Sequence, residues 1–231
     1  MSGPAPHEPA GRPIPDREAY YDGWSALHGG YDPRSSILTR LWLGWAYEVA
    51  RPLAQRGVTP DAVTTAGVAV TAGVLPFAAA GGRWAFGGGL VVVASGLLDN
   101  LDGAVAVLTG GASSWGYVVD SLADRASDAL YLLALRLAGA PAGWCAGAAA
   151  AVVLLEYGRA RAANAGFSEI GVVTVGERPT RIIVTAVALA GVAAAPRHAR
   201  WVAGAGASAT AGVSLIGSVQ FLRTARRALQ G

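Results

Sequence analysis

Lysine is absent from this 231-residue chain: all 18 basic residues are arginine, and no run of five or more of them occurs. A nucleic-acid surface needs clustered cations that track a phosphate backbone, so nucleic acid is not an expected partner. Cysteine is nearly absent as well. Cys145 lies alone in an Ala-rich apolar run, which leaves neither a disulfide framework nor a thiolate metal site and suits helix packing. The three histidines, His7, His28 and His198, are scattered, and a catalytic histidine is not expected. Charge as a whole is sparse, 14% of residues against 53% hydrophobic, and the charges cluster between long apolar stretches. That is the composition of an integral membrane protein.

Residues 1–35 are rich in Pro, Gly and charge and hold no apolar run of the kind a cleavable signal peptide needs. They are expected to form a disordered or loosely packed tail. Over residues 36–57, Ile37, Leu38, Leu41, Trp42, Trp45, Val49 and Leu53 recur at three- and four-residue steps, with Arg40, Glu48, Arg51 and Gln55 away from them. The pattern predicts an amphipathic helix lying in the membrane interface, its tryptophans at headgroup level.

Residues 58–223 read as one helical domain, followed by a short C-terminal tail at 224–231. Apolar stretches at 61–80, 83–107, 115–138, 141–163, 181–195 and 200–222 mostly approach the ~20 residues that cross a bilayer. They are separated by Gly81-Gly82, Thr109-Gly110-Gly111, Gly139-Ala140-Pro141, the segment from Asn164 to Pro179, and Pro196. The expected fold is all-α, with six transmembrane helices and the interfacial helix. Arginines 40, 51, 56, 159, 161, 178, 181, 223, 226 and 227 flank one side, against 83, 136, 197 and 200 on the other. The positive-inside rule then puts both termini in the cytoplasm of a bacterial cell whose inner membrane the chain spans.

Within this apolar frame stand Asp99 and Asp102 near the end of the second stretch, and Asp120 and Asp124 near the start of the third. Spacings of three and four residues put each pair on one helix face. The short link at 108–114 is expected to make the two helices antiparallel neighbours, so that all four carboxylates converge. An ionised Asp at mid-bilayer costs about 2.5–3.5 kcal/mol, and four together about 10 kcal/mol if additive, comparable with a whole folding stability. The cluster therefore requires arginine pairing, protonation or bound cations. Arg125 alone cannot neutralise it. All-oxygen ligands favour Mg²⁺, Mn²⁺ or Ca²⁺ over zinc, and two divalent ions match four negative charges.

The run from Asp99 through Asp102, Gly103 and Ala106 to Gly116, Asp120 and Asp124 resembles the CDP-alcohol phosphotransferase signature, D-x2-D-G-x2-A-R followed after about eight residues by G-x3-D-x3-D. Seven of its eight defining positions match, and the similarity extends over residues 37–222. The exception is Val107, where the family has an arginine expected to help hold the nucleotide diphosphate. Arg125 substitutes for it, or the donor is held differently.

The resemblance implies an integral membrane transferase of phospholipid biosynthesis. An acceptor hydroxyl attacks the β-phosphorus of a CDP-linked lipid such as CDP-diacylglycerol, and CMP is released. It implies Asp99, Asp102 and Asp120 as metal ligands, with Asp124 holding a second Mg²⁺ or Mn²⁺ and serving as base. Gly103, Ala106 and Gly116 would let the nucleotide approach the helices, although Gly103 and Ala106 also suit tight helix packing. Thr64 matches the last position of a P-N-x-x-T motif, read here as Pro60-Asp61-Ala62-Val63-Thr64, where Asp61 also suits a helix N-terminus.

Arg159, Arg161, Arg178 and Arg181 are similar to the acceptor-side arginines of the actinobacterial phosphatidylinositol phosphate and phosphatidylglycerol phosphate synthase branch, and suit a phosphorylated polyol. They are equally what a positive-inside loop carries. Inositol phosphate, glycerol phosphate, a free polyol and a lipid hydroxyl all stay open as acceptors. Asp128 and Glu156 are further intramembrane acids, and Asp128 is expected to meet an Arg or Tyr. A homodimer is implied by the resemblance alone. Two other classes use some of these features: an ion- or proton-coupled transporter with intramembrane acids, and a catalytically degenerate family member.

Overall fold

The computed structural model describes residues 14–167 and 173–230. Every regular element among them is helical. Helices α1 (Arg17–Leu27) and α2 (Ile37–Gln55) precede a bundle of α3 (Pro60–Ala72), α4 (Val74–Ala80), α5 (Trp84–Thr109), α6 (Ser114–Leu137), α7 (Ala142–Asn164), α8 (Arg178–Ala194) and α9 (Ala199–Gln230). The boundaries follow local chemistry. Ser36, Thr59 and Ser113 accept hydrogen bonds from the third residue on, capping α2, α3 and α6, and Pro60 and Pro179 sit in the first turns of α3 and α8. Gly110 ends α5 in the left-handed conformation, φ 64°, that a residue with a Cβ resists. Gly73 and Pro76 break the first long segment into α3 and α4, because Pro76 has no N–H to continue the ladder.

Among the described residues, three segments are long and apolar enough to cross a membrane: Pro60–Ala80, Trp84–Thr109 and Pro196–Gln230. The other three expected spans are helical within a residue or two of the expected limits, except that α8 begins three residues earlier, at Arg178. They fall short for a physical reason. α6 carries Asp120, Asp124, Arg125 and Asp128, α7 ends in Glu156, Arg159 and Arg161, and α8 is only 17 residues long.

Two expectations for the chain ends are corrected. From residue 14 onward the N-terminal region is no loose tail: Asp16 caps α1, and Tyr20 and Tyr21 are buried with Leu43, Tyr47, Leu101, Val105 and Leu108 in one core. Arg34 ties α1 down through Glu18 at 2.8 Å and Asp22 at 2.9 Å, and these acids, Asp22 foremost, hold its guanidinium above the ordinary arginine pKa. Residues 1–13 lie outside the described residues. At the other end α9 runs on to Gln230, so 224–230 is helix.

A third correction matters more for function. α5 and α6 are joined by four residues, yet their backbones do not pack together: α3, α4 and α8 each touch both helices and hold them apart. Tyr131 of α6 still reaches Ser95 of α5 across the gap, 2.7 Å between hydroxyls. The main core is made of small and branched residues, among them Val74, Ala78, Val92, Leu135, Ala148, Leu189 and Ala203, and it buries Cys145 as expected. Close approach is general. Gly89 of α5 faces the carbonyl of Ala186, and Gly206 of α9 lies against Ala188, the small-residue contact typical of helices packed in lipid. Large apolar side chains such as Phe86, Leu90, Leu154, Ile183, Val187 and Ile216 point outward, as lipid-facing residues would.

A Cβ built at Gly206 stands 2.5 Å from the Ala188 Cβ and 3.5 Å from Leu135, so the site has no room for a branched side chain. Gly206→Val is expected to lower stability by about 1–3 kcal/mol. Thermal unfolding of the detergent-solubilised protein measures it.

Candidate active site

The carboxylates occupy the space that the separation of α5 and α6 creates. Asp99, Asp120 and Asp124 each offer an oxygen, and these three atoms lie within 4.8 Å of one another. Asp102 stands one turn beyond Asp99, is buried, and is engaged separately. Its Oδ2 accepts a hydrogen bond from the Thr64 hydroxyl at 2.6 Å, and its Oδ1 lies 2.6 Å from the Gly103 amide nitrogen. Three of the four expected ligands are therefore brought together, and the fourth is oriented from α3.

One cation lies within the cluster, and Arg125 reaches only its edge at Asp124. Arg178, in the first turn of α8, places Nη1 2.7 Å from Asp99 Oδ1 and also contacts Asp124. Three carboxylates against one guanidinium leave two negative charges, and Asp102 adds a third. A guanidinium is a poor match for three converging carboxylates, whereas a hard divalent cation takes oxygens in any direction. The donor set and the charge excess both fit a divalent cation.

A second group lies one turn deeper. Arg181, almost wholly buried, meets Asp128 through two contacts of 3.1 Å, Glu156 at 3.1 Å and the Gly176 carbonyl at 2.5 Å. Arg125 reaches Glu156 at 2.9 Å, Asp128 at 3.4 Å and Asp124 at 3.5 Å. These two acids and two arginines balance in charge. The arginine partner expected for Asp128 is Arg181.

Two cavities flank the cluster. The first, about 430 Å³, is lined by Thr64, Asp99, Asp102, Gly103, Ala106, Gly116 and Asp120, so it gathers the sequence-predicted nucleotide residues apart from Arg125. A Cβ at Gly103 would meet nothing within 4 Å, so Gly103 is not needed for helix packing. The second, about 570 Å³, lies between α6 and α7 and is lined by Asp120, Asp124, Arg125, Glu156, Tyr157 and Arg159 among others. Asp120 borders both.

The arginines separate accordingly. Arg125 is drawn into the acid network and stands away from Thr64, Gly103 and Ala106, so it does not fill the place of the missing family arginine. Arg181 is enclosed by its partners and is not placed to meet an acceptor. Arg159 borders the second cavity while pairing with Glu177 at 2.6 Å and Thr174 at 3.0 Å. Arg161 is exposed two residues further along α7, which turns it away from that wall. Asp61 sits in the first turn of α3, as its helix-terminal reading required, and also lines the first cavity.

Tyr20, Trp24 and Leu27 of α1 and His28, which caps that helix, line the first cavity too and were missed from sequence. Their signal was present in Asp16 followed by aromatic residues at four-residue steps, a short capped helix inside a Pro- and Gly-rich stretch.

The CDP-alcohol phosphatidyltransferase family profile matches residues 57–215, and the chain belongs to that family. It is an enzyme that transfers a phosphatidyl group from a CDP-linked donor in phospholipid synthesis, which decides against the transporter class. Among curated relatives, the archaetidylinositol phosphate synthase of Pyrococcus horikoshii is 31% identical over 142 residues, covering 61% of this chain and 73% of that one. The phosphatidylinositol phosphate synthase of Cutibacterium acnes is 33% identical over 167 residues, covering 66% and 77%. The crystal structure of Mycobacterium tuberculosis phosphatidylinositol phosphate synthase with CDP-DAG bound superposes with a TM-score of 0.61 at 29% identity, covering 78% of this chain and 92% of that one. A second structure of that enzyme, in complex with manganese and citrate, gives a TM-score of 0.62 and covers 78% and 88%.

Removing one partner from the buried group tests its structural role. Arg181→Ala leaves Asp128 and Glu156 short of a cation and is expected to lose about 3–5 kcal/mol of stability. The double replacement Arg181→Met with Asp128→Leu is expected to regain most of it, as read by thermal unfolding in detergent.

Proposed function

We propose that this chain transfers the phosphatidyl group of CDP-diacylglycerol to a phosphorylated polyol, inositol phosphate first among them, and releases CMP. The observation that carries this reading is the convergence of Asp99, Asp120 and Asp124 in an apolar bundle beside a cavity large enough for a nucleotide head. In this reading the protein is multi-pass, with six spans, and lies in the bacterial inner membrane as a homodimer, its active site facing the cytoplasm. The exposed Ile37, Leu38, Leu41, Trp42 and Trp45 face of α2 supports a helix resting in the interface. Residues 36–57 form that helix, and 58–223 the catalytic domain.

Asp99, Asp102, Asp120 and Asp124 hold two divalent cations, Mg²⁺ or Mn²⁺, which when bound neutralise the diphosphate and the charge developing on departing CMP. The first cavity takes the nucleotide, bounded by Thr64, Gly103, Ala106 and Gly116. Thr64 aims Asp102 through their 2.6 Å hydrogen bond. The acceptor approaches from the second cavity, and its hydroxyl oxygen attacks the β-phosphorus from the side opposite CMP. A new phosphorus–oxygen bond forms as the bond to CMP breaks, and the hydroxyl proton passes to Asp124, which borders the acceptor side.

Arg178 has two roles in this reading. It offsets part of the negative charge on Asp99 and Asp124. Its guanidinium and that of Arg159 would be the pair to meet the acceptor phosphate.

Membranes containing the chain, supplied with Mn²⁺ and labelled CDP-diacylglycerol, should release CMP fastest with inositol phosphate. Asp124→Asn should slow that release by at least about a hundredfold. Equal rates for wild type and variant across a panel of acceptors would overturn the assignment of Asp124, and an equal rate with glycerol phosphate would overturn the choice of acceptor.

A further inference from the structure

The first cavity has a wall that the catalytic domain does not supply. Its lining includes Tyr20, Trp24 and Leu27 of α1 and His28, which caps that helix, together with Gly103, Ala106 and Val107 of α5. α1 is held there by several independent contacts. Tyr20 and Tyr21 are buried, the Tyr47 hydroxyl donates to the Pro15 carbonyl at 3.2 Å, Arg17 pairs with Glu48, and Arg34 grips Glu18 and Asp22.

The seat of α1 on α5 is Val107. A Cβ built at Gly23 would lie 3.0 Å from Val107 Cγ1, so the helix and the side chain are already in close contact. Val107 thus packs against α1 while it also borders the cavity. An apolar residue at 107 and a helix above it are thus two sides of one arrangement.

The charge of the cavity makes the arrangement functional. Asp61, Asp99, Asp102 and Asp120 all line it, and among the described residues no arginine does. Among the described residues of the lining, His28 is the side chain able to carry positive charge. Its ring is stacked on Trp24, centroids 3.8 Å apart and planes 13° from parallel. Its Nδ1 lies 2.8 Å from the Trp24 carbonyl, an acceptor, so Nδ1 carries the hydrogen and Nε2 is left for another partner. A stacked indole and imidazole beside an acidic cavity suit a ligand that combines a planar base with phosphate.

We propose that α1 is part of the donor site: Trp24 and His28 contact the nucleotide head of the CDP-linked lipid, and take over from the helix bundle a contact that Val107 cannot make. This rests on the reading that the first cavity takes the nucleotide. The inference gives residues 14–28 a direct part in donor recognition.

The test uses the full-length protein in detergent with Mn²⁺, CDP-diacylglycerol as donor and labelled CMP as the binding probe. Trp24→Ala is expected to raise the donor KM about tenfold and to weaken CMP binding in step, while the acceptor KM stays within twofold. Trp24→Phe should restore most of the loss, and His28→Ala should weaken CMP binding in the same direction. Gly103→Val, on the α5 wall, fills the cavity without touching α1. If Gly103→Val abolishes CMP binding but Trp24→Ala and His28→Ala do not change it, the role of α1 is overturned while the cavity assignment stands. If none of the three alters CMP binding, the cavity assignment itself falls. A lower melting temperature with an unchanged donor KM would show that α1 only braces the fold, and would also overturn the proposal.

Discussion

The arrangement of this protein depends on an excess of negative charge held where water is scarce. Asp99, Asp120 and Asp124 share a space less than 5 Å across, with Arg178 as the guanidinium among them. Carboxylates so close repel strongly in a low-dielectric bundle, and each would be costly there alone. The surrounding helices are built to hold that repulsion in place. α3, α4 and α8 wedge between α5 and α6, and the balanced group of Asp128, Glu156, Arg125 and Arg181 anchors the deeper turn of α6 to α7 and α8.

α8 has the central place in this scheme. It is the shortest helix of the set expected to span, and it delivers both Arg178 and Arg181, three residues apart on one face. Arg181 is enclosed by fixed partners, whereas Arg178 stands among groups that suit a metal better than a guanidinium. One helix turn therefore separates an arginine enclosed by fixed partners from one set among the clustered carboxylates. Glu177, which precedes α8, accepts from the Thr174 amide and pairs with Arg159, so the loop leading into α8 is tied to α7.

The departure from the family signature at Val107 finds a physical context in α1. Val107 lies against Gly23 of α1 and borders the first cavity. The replacement is better read as one half of a packed contact than as simple loss of a donor-binding group.

Much of this was legible in the sequence. Helix limits followed from Gly, Pro and capping residues that act within a few positions, and the spacing of Asp99, Asp102, Asp120 and Asp124 fixed which of them share a face. What local rules could not determine was partnership across the bundle. Arg125 sits next to Asp124 in sequence and reads as a candidate for the cavity, yet it turns to Glu156; Arg181 reads as an acceptor ligand, yet it finds Asp128, 53 residues away. A four-residue link between α5 and α6 suggested direct packing, which the wedge of α3, α4 and α8 prevents. Membrane character, helix limits and the carboxylate signature can be read from residue order, because periodicity and capping are local. Which arginine meets which acid, and that α1 walls the cavity, emerges in the folded bundle alone, because those outcomes depend on side chains brought together from distant turns.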